Sequence, residues 1–353
     1  MTTKPHRKAP VWLLALIFAY LALLAALTVL NRLGADRWWL GALNLYLPQA
    51  LWAAPGLFLA IVSLKVARRW TWVALLGVVW VVGPLMGYCW QLPVVRKSAG
   101  SLPLRVMTWN VKYGSHDTLA HAAIIYDIDW NNPTVVLLQD AGGLLDGPLG
   151  KYFSKWDVRS YGQYIIASRL PLGELQVRRI SFPGEEHTCV RTQVQIGETA
   201  VALYDVHFQT PRWGLNALRE ARRKPWRLPK AVQQLERNME ARLAQVRALR
   251  EYIRQEQGPV IIAGDLNSPG VSRVCTTLRD ADLHGAFEEG GNGYGYTYGH
   301  FLLQHRVPAL NFSWVRIDHI MLSSQLRSLN CWTGTGKASD HRPVIADLVL
   351  SHN

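Results

Sequence analysis

Residues 260–269 read VIIAGDLNSP, and residues 338–344 read ASDHRPV. In the first stretch an apolar run leads through Gly264 to Asp265 and Asn267, which point to one side of an extended chain because alternate residues share a face. In the second, Asp340 and His341 stand just before the apolar run Pro343–Leu348. Both put oxygen and nitrogen donors at the mouth of an apolar strand. Moving outward, the arrangement recurs. Residues 106–110, VMTWN, end in Asn110, and residues 135–140, VVLLQD, end in Gln139 and Asp140. Residues 201–207, VALYDVH, end in His207, and residues 316–320, RIDHI, carry Asp318. Short apolar runs between turn residues read as buried strands, here Leu104–Trp109, Thr134–Leu138, Tyr164–Ser168, Val190–Gln195, Ala200–His207, Val260–Ala263, Asp318–Leu322 and Pro343–Leu348. From about Lys230 to Gln255, apolar residues from Val232 to Ile253 recur at spacings of three and four, which predicts one amphipathic helix ending before Gly258-Pro259. The class is α/β.

Taken singly, each motif is ordinary: an Asp-X-Asn before proline is commonly a turn, and a lone buried histidine is commonly a satisfied core residue. Together and in this order they resemble the endonuclease/exonuclease/phosphatase superfamily. These metal-dependent phosphohydrolases include deoxyribonuclease I-like nucleases, apurinic endonucleases, neutral sphingomyelinases and inositol-polyphosphate 5-phosphatases. The resemblance runs from Leu104 to Leu348, and GDLN and SDHRPV are its most specific pieces. It implies a four-layer α/β sandwich, two packed mixed sheets flanked by helices, with the site at one edge. It also implies roles for particular residues. His341 acts with Asp318 as the base, His207 stabilises or protonates the reacting phosphate, and Asp265 and Asn267 position the attacking water and a phosphate oxygen. Asn110, Asp140, Asp265, Asn267 and Asp340 would hold the metal. Two positions depart from the family pattern. Asp140 replaces the usual glutamate, shorter by one methylene or about 1.5 Å of reach, and Tyr164 stands where an asparagine is frequent.

The residue types suit the chemistry independently of the resemblance. Phosphate ester hydrolysis needs a cation on the non-bridging oxygens, a base for water, and donors aimed at developing charge. The aspartates are hard oxygen ligands of the kind Mg²⁺ or Mn²⁺ takes, and the four cysteines show no zinc-binding spacing.

The chain before Ser101 is of another kind. Its first hundred residues hold ten Lys and Arg against one acid, Asp36, and eight of the fifteen Trp. Most of the net charge of +13 therefore flanks apolar runs, which argues against a histone-like nucleic-acid binder; the hydrophobic content of 49% excludes disorder. Uncharged runs at residues 9–30, 38–64 and 70–95 predict about three transmembrane helices within a membrane region, 1–97, followed by a linker, 98–103, and a catalytic domain, 104–353. The middle run is interrupted by Asn44, Pro48 and Gln49 and reads alternatively as an interfacial piece before a short helix. Lys4, Arg7, Lys8, Lys65, Arg68 and Arg69 on one side outnumber Arg32, Arg37, Arg96 and Lys97 on the other. That imbalance puts the N-terminus in the cytoplasm and, with three crossings, the catalytic domain outside. The layout predicts a multi-pass protein of the cytoplasmic (inner) membrane, similar to membrane-anchored bacterial members of the superfamily.

Between Arg212 and Lys230 lie seven basic residues against Glu220 alone, with Trp213 and Trp226 interleaved. Such a patch suits an anionic substrate or anionic headgroups, and equally a solvated helix start. The expectation is a membrane-anchored hydrolase of phosphodiester or phosphoanhydride bonds whose partners are the lipid bilayer and a lipid-linked phosphate or nucleic acid. The alternative is a non-catalytic phosphate-binding module of the same fold.

Overall fold

The computed structural model describes residues 9–91, 104–112, 118–300 and 312–351. The predicted linker, 98–103, and the end of the third apolar run lie outside them. The catalytic part is built on two six-stranded sheets. Its strands are β1 Leu104–Asn110, β2 Val135–Gln139, β3 Asp157–Tyr161, β4 Tyr164–Ser168, β5 Gln176–Arg179, β6 Thr188–Ile196, β7 Thr199–His207, β8 Val260–Asp265, β9 Leu283–Gly285, β10 Asp318–Ser323, β11 Leu326–Thr333 and β12 Val344–Leu350. One sheet has the order β11-β12-β1-β2-β4-β3 and the other β5-β6-β7-β8-β10-β9. Both are mixed: β1 and β2 are parallel, as are β7 and β8, and the other pairings are antiparallel.

The ten α-helices of the described residues are α1 Val11–Arg32, α2 Trp39–Tyr46, α3 Ala53–Val66, α4 Thr71–Trp80, α5 Thr118–Asn131, α6 Pro148–Tyr152, α7 Arg212–Ala221, α8 Leu228–Ile253, α9 Arg273–Arg279 and α10 Ala286–Gly290. Strand alternation assigns each apolar side chain to a layer. In β1, Leu104 and Val106 meet Leu203, Ile261 and Ile320 between the sheets, while Met107 and Trp109 face Ile124 and Ile128 of α5. In β7, Val201 and Leu203 point between the sheets, while Ala202, Tyr204 and Val206 pack on Leu243, Val246 and Leu249 of α8. Helices, sheet, sheet and helices make the four-layer sandwich that the resemblance implies.

The second apolar run, residues 38–64, is two pieces. Leu47 is extended ahead of Pro48, as the residue before a proline prefers, and α2 stops there. A tight turn, Gln49–Trp52, then leads into α3. The third run forms α4 and a wider turn, Val81–Leu85, around Pro84. Among the described residues, two segments are long and apolar enough to cross a membrane, Val11–Arg32 and Gln49–Val66. α1, α3 and α4 pack on one another through Leu13, Ile17, Tyr20, Leu59, Val73 and Ala74. This bundle is tied to the catalytic part at several points. The Asp36 carboxylate accepts the Arg273 amide at 3.0 Å, the Tyr296 hydroxyl donates to the Met86 carbonyl at 2.9 Å, and Cys89 pairs with Gly293.

Candidate active site

Sheet register explains why the polar residues meet. Asn110 is opposite Gln139 where parallel β1 and β2 end, and His207 is opposite Asp265 where parallel β7 and β8 end. β10 runs against β8 and begins with Asp318 opposite Asp265. β12 runs against β1, so the Asp340–His341 turn before it arrives at the edge where β1 stops. Gly264 makes this possible: its φ is 146°, and a Cβ there would lie 1.9 Å from the Val206 carbonyl oxygen. Asp140 and Asn267 both adopt left-handed backbone, φ 51° and 47°, where the chain turns out of β2 and β8. Asp and Asn are the side chains that adopt it most readily after glycine.

Across the gap between the sheets, Asn110 Nδ2 donates to Asp265 Oδ2 at 3.1 Å, and the Asn267 amide donates to Asp265 Oδ1 at 2.8 Å. Asp265 is fully buried, and burial together with the charge of Asp318 raises its carboxyl to about 7. His341 Nδ1 lies 3.0 and 2.9 Å from the two oxygens of Asp318. Its Nε2 lies 3.8 Å from Asp265 and 3.9 Å from Asp340. Burial pulls His341 toward the neutral form, but the charges of Asp318, Asp265 and Asp340 outweigh it and hold the ring at about 10. Burial wins at His207, which falls to about 4 against the opposing pull of Asp140. Its Nδ1 is 2.7 Å from Gln163 Oε1 and 3.6 Å from Asp140, and its Nε2 is 3.6 Å from Asp265. The His207 ring therefore has Asp140 on one edge and Asp265 on the other.

The ligand atoms of Asp265, Asp318 and His341 lie within 4.8 Å of one another, and Asp340 Oδ1 is buried with no hydrogen-bond partner. A buried carboxylate oxygen with no hydrogen-bond partner is what a small hard cation relieves. Asn110, Asp140, His207, Asp265, Asn267 and His341 face a cleft of about 570 Å³, which also touches Arg212, Arg219, Tyr298 and Trp314.

Residues 107–341 match the model of the endonuclease/exonuclease/phosphatase family. The chain belongs to this family. Solved structures agree with the fold. Truncated Caenorhabditis elegans TDP2 has 20% identity, TM-score 0.51, and coverage of 70% of this chain and 97% of that one. A D. rerio TDP2 complexed with single strand DNA product has 16% identity, TM-score 0.53 and coverage of 70% and 98%. A mannosyl-6-phosphatase from Bacteroides thetaiotaomicron has 14% identity, TM-score 0.52 and coverage of 70% and 100%. No curated protein matches the chain.

The family motifs supply the convergent acids and histidines, and around them are residues that motif reading passed over. Gln163 holds the His207 ring, Ser339 Oγ donates to the Asn110 carbonyl at 2.6 Å, and Arg212 reaches Asp340 at 3.1 Å and the Tyr298 hydroxyl at 3.2 Å. Of these, Arg212 had a signal in the sequence as the first residue of the basic patch, and Ser339 stood inside the motif SDHRPV without a role of its own. Tyr164, where the family often has asparagine, is buried, and its hydroxyl donates to the Thr188 carbonyl at 2.7 Å, joining the two sheets. The adjacent Gln163 supplies the polar contact to the site.

Proposed function

We propose that this protein is a membrane-anchored, divalent-metal-dependent phosphohydrolase that cleaves phosphodiester or phosphoanhydride bonds of a lipid-linked or nucleic-acid substrate. The observation that carries the reading is the buried meeting of Asp265, Asn110, His207 and the Asp318–His341 pair at one sheet edge, open to a single cleft. Family membership supports a hydrolase acting on phosphate esters.

Asp265, Asp340 and Asp140, with the carboxamides of Asn110 and Asn267, are the residues that would hold Mg²⁺ or Mn²⁺. When bound, such an ion offsets charge on the phosphate and on the carboxylates around His341. The chain's own residues divide the remaining work. Asp318, with both oxygens on Nδ1, keeps the proton there; once the charges of the neighbouring carboxylates are offset and no longer hold the ring charged, Nε2 is left to accept a proton from water as the water oxygen attacks phosphorus. Asn267 and Asp265 orient that water. The P–O bond to the leaving group then breaks, and the departing oxygen takes its proton from His207 Nε2. His207 acquires that proton when the negative phosphate enters beside it, since a nearby anion favours the charged ring. Arg212 stands by the cleft with Asp340 and supplies fixed positive charge for an anionic substrate.

Anchoring rests on α1 and on Gln49–Val66. Lys65, Arg68 and Arg69 surround the α3–α4 turn, whereas Met86, at the far end of α4, contacts the catalytic part. With the basic turn in the cytoplasm, the catalytic domain lies on the extracytoplasmic face of the inner membrane. Full-length protein in detergent, assayed with Mg²⁺ or Mn²⁺ on bis-p-nitrophenyl phosphate, short DNA and lipid phosphates, tests the activity. Wild type should turn over at least one substrate and His341→Ala none. Equal inertness of both on every substrate abandons hydrolysis in favour of a phosphate-binding module.

A further inference from the structure

One wall of the cleft comes from outside the matched family region, residues 107–341. α2 is too short to cross a bilayer, at eight residues, and instead lies on the catalytic part with Ala42 buried against Leu235 and Met239 of α8. Its last residue, Tyr46, lines the cleft together with Asp265, Asn267 and His341. The Tyr46 hydroxyl donates to the Asn267 carbonyl at 2.7 Å, and Trp314 Nε1 donates to the Tyr46 carbonyl at 3.1 Å. Leu215 of α7 packs on the same cluster as Ala42 and also lines the cleft, as does Val315.

The polar atoms of this wall are engaged within the protein, the hydroxyl on Asn267 and the indole nitrogen on Tyr46. What remains for a ligand is ring faces and methyl groups. These gain by covering apolar surface and give the hydroxyls of a sugar nothing in exchange for lost water. Trp314 and Val315 also line a second cavity, of about 380 Å³, that reaches Arg32 and Leu45 at the ends of α1 and α2. The apolar wall thus stands between the reacting centre and the helices apolar enough to enter a membrane.

We propose that Tyr46, carried into the site by α2, completes the cleft and forms with Leu215, Trp314 and Val315 an apolar subsite for a hydrocarbon group esterified to the scissile phosphate. The proposal rests on the phosphohydrolase reading above and narrows it to phosphate esters of apolar alcohols. Through its bond to the Asn267 backbone, Tyr46 is also a positioning residue for Asn267.

The test uses the full chain in nanodiscs with Mg²⁺ and three diesters sharing a p-nitrophenyl leaving group, whose second substituent is methyl, octyl or thymidine 5′-linked. The octyl ester should exceed the methyl ester in kcat/KM by about tenfold or more, as burial of several methylenes implies, and the thymidine ester should show no such gain. Tyr46→Ala and Leu215→Ser, on different elements, should each collapse the octyl-to-methyl ratio. Tyr46→Phe keeps the ring and should keep the ratio while lowering kcat for both esters. Calorimetric binding of octyl phosphate against methyl phosphate gives a readout independent of turnover. If turnover occurs but the ratio is unmoved in both variants, or the thymidine ester is preferred, the subsite is overturned and the hydrolase stands. If no ester is cleaved while octyl phosphate binds in a Tyr46-dependent way, the subsite stands and the hydrolase reading is overturned. No cleavage and no chain-length dependence of binding overturns both.

Discussion

The Asp318–His341 pair and the Asp205–Gln139 pair show how differently two buried aspartates behave. Asp318 engages His341 with both oxygens, so Asp318→Asn keeps the shape but removes the charge that supports an imidazolium. We expect kcat to fall by about 100-fold or more, the range of a disabled general base, while the thermal midpoint moves little. A comparable collapse in the midpoint would make the pair structural. Asp205 lies fully buried between the sheets, accepting Gln139 Nε2 at 2.6 Å on one oxygen while its other oxygen and Gln139 Oε1 have no partner. Burial holds its carboxyl well above the usual range. A raised carboxyl in the folded state is neutral and harmless in acid, and its penalty grows as pH rises past the unfolded value. Asp205→Asn should therefore stabilise the protein at pH 7 by about 1–2 kcal/mol, the cost of an unsatisfied buried group, and by nearly nothing at pH 4. Urea midpoints at the two pH values check this. The candidate acids and histidines were legible because each ends or begins an apolar strand, where period-two alternation fixes direction. Gln163 was not, because it sits in the turn between β3 and β4, where no periodicity announces a side chain's aim.

Among elements, the strands foreseen and those missed divide by position in the sheets. The missed strands β3, β5, β9 and β11 are the four sheet edges. An edge strand is short and carries charge or polar side chains because one side faces water, as in Asp157–Tyr161 and Gln176–Arg179. Interior strands such as β4 and β8 are buried throughout and read as continuous apolar runs. α5 escaped because its apolar residues are spread around the helix and do not form one stripe. The run holding α2 and α3 read as one span or, alternatively, as an interfacial piece before a short helix, because hydropathy alone does not distinguish a lipid-facing helix from one docked on protein. The α7–α8 junction offers an element-scale prediction. A Cβ on Gly214 would lie 2.7 Å from the Leu235 Cα, and the Gly214 amide donates to Asn238 Oδ1 at 2.8 Å. Gly214→Val should push α7 off α8, costing about 1–3 kcal/mol as overpacking does. Because α7 begins with Arg212, KM for an anionic substrate should rise as well. A stability loss with KM unchanged would show that Arg212 keeps its place independently of α7.

For the whole molecule, charge and length together argue the proposed membrane topology. α1 has 22 residues and Gln49–Val66 has 18, while α4 with its terminal turn, Thr71–Leu85, is about 22 Å long at 1.5 Å per residue, short of a hydrocarbon layer of about 30 Å. Yet α4 packs on α1 and α3 in one cluster, and its far end bonds with Tyr296, as the end of α1 is tied to Arg273 through Asp36. In the proposed topology a helix so placed returns to the side from which α3 left, with local thinning of the bilayer accommodating its shortness at small cost. Alkaline phosphatase fused after Gly34, Ala67 or Gly100 resolves the count, since it is active only when exported. Three crossings with the basic α3–α4 turn in the cytoplasm give active, inactive and active. If α4 stays in the interface the last fusion reads inactive like the second, and the catalytic domain then faces the cytoplasm. Inverting all three results would reverse the orientation that the Lys and Arg balance implies.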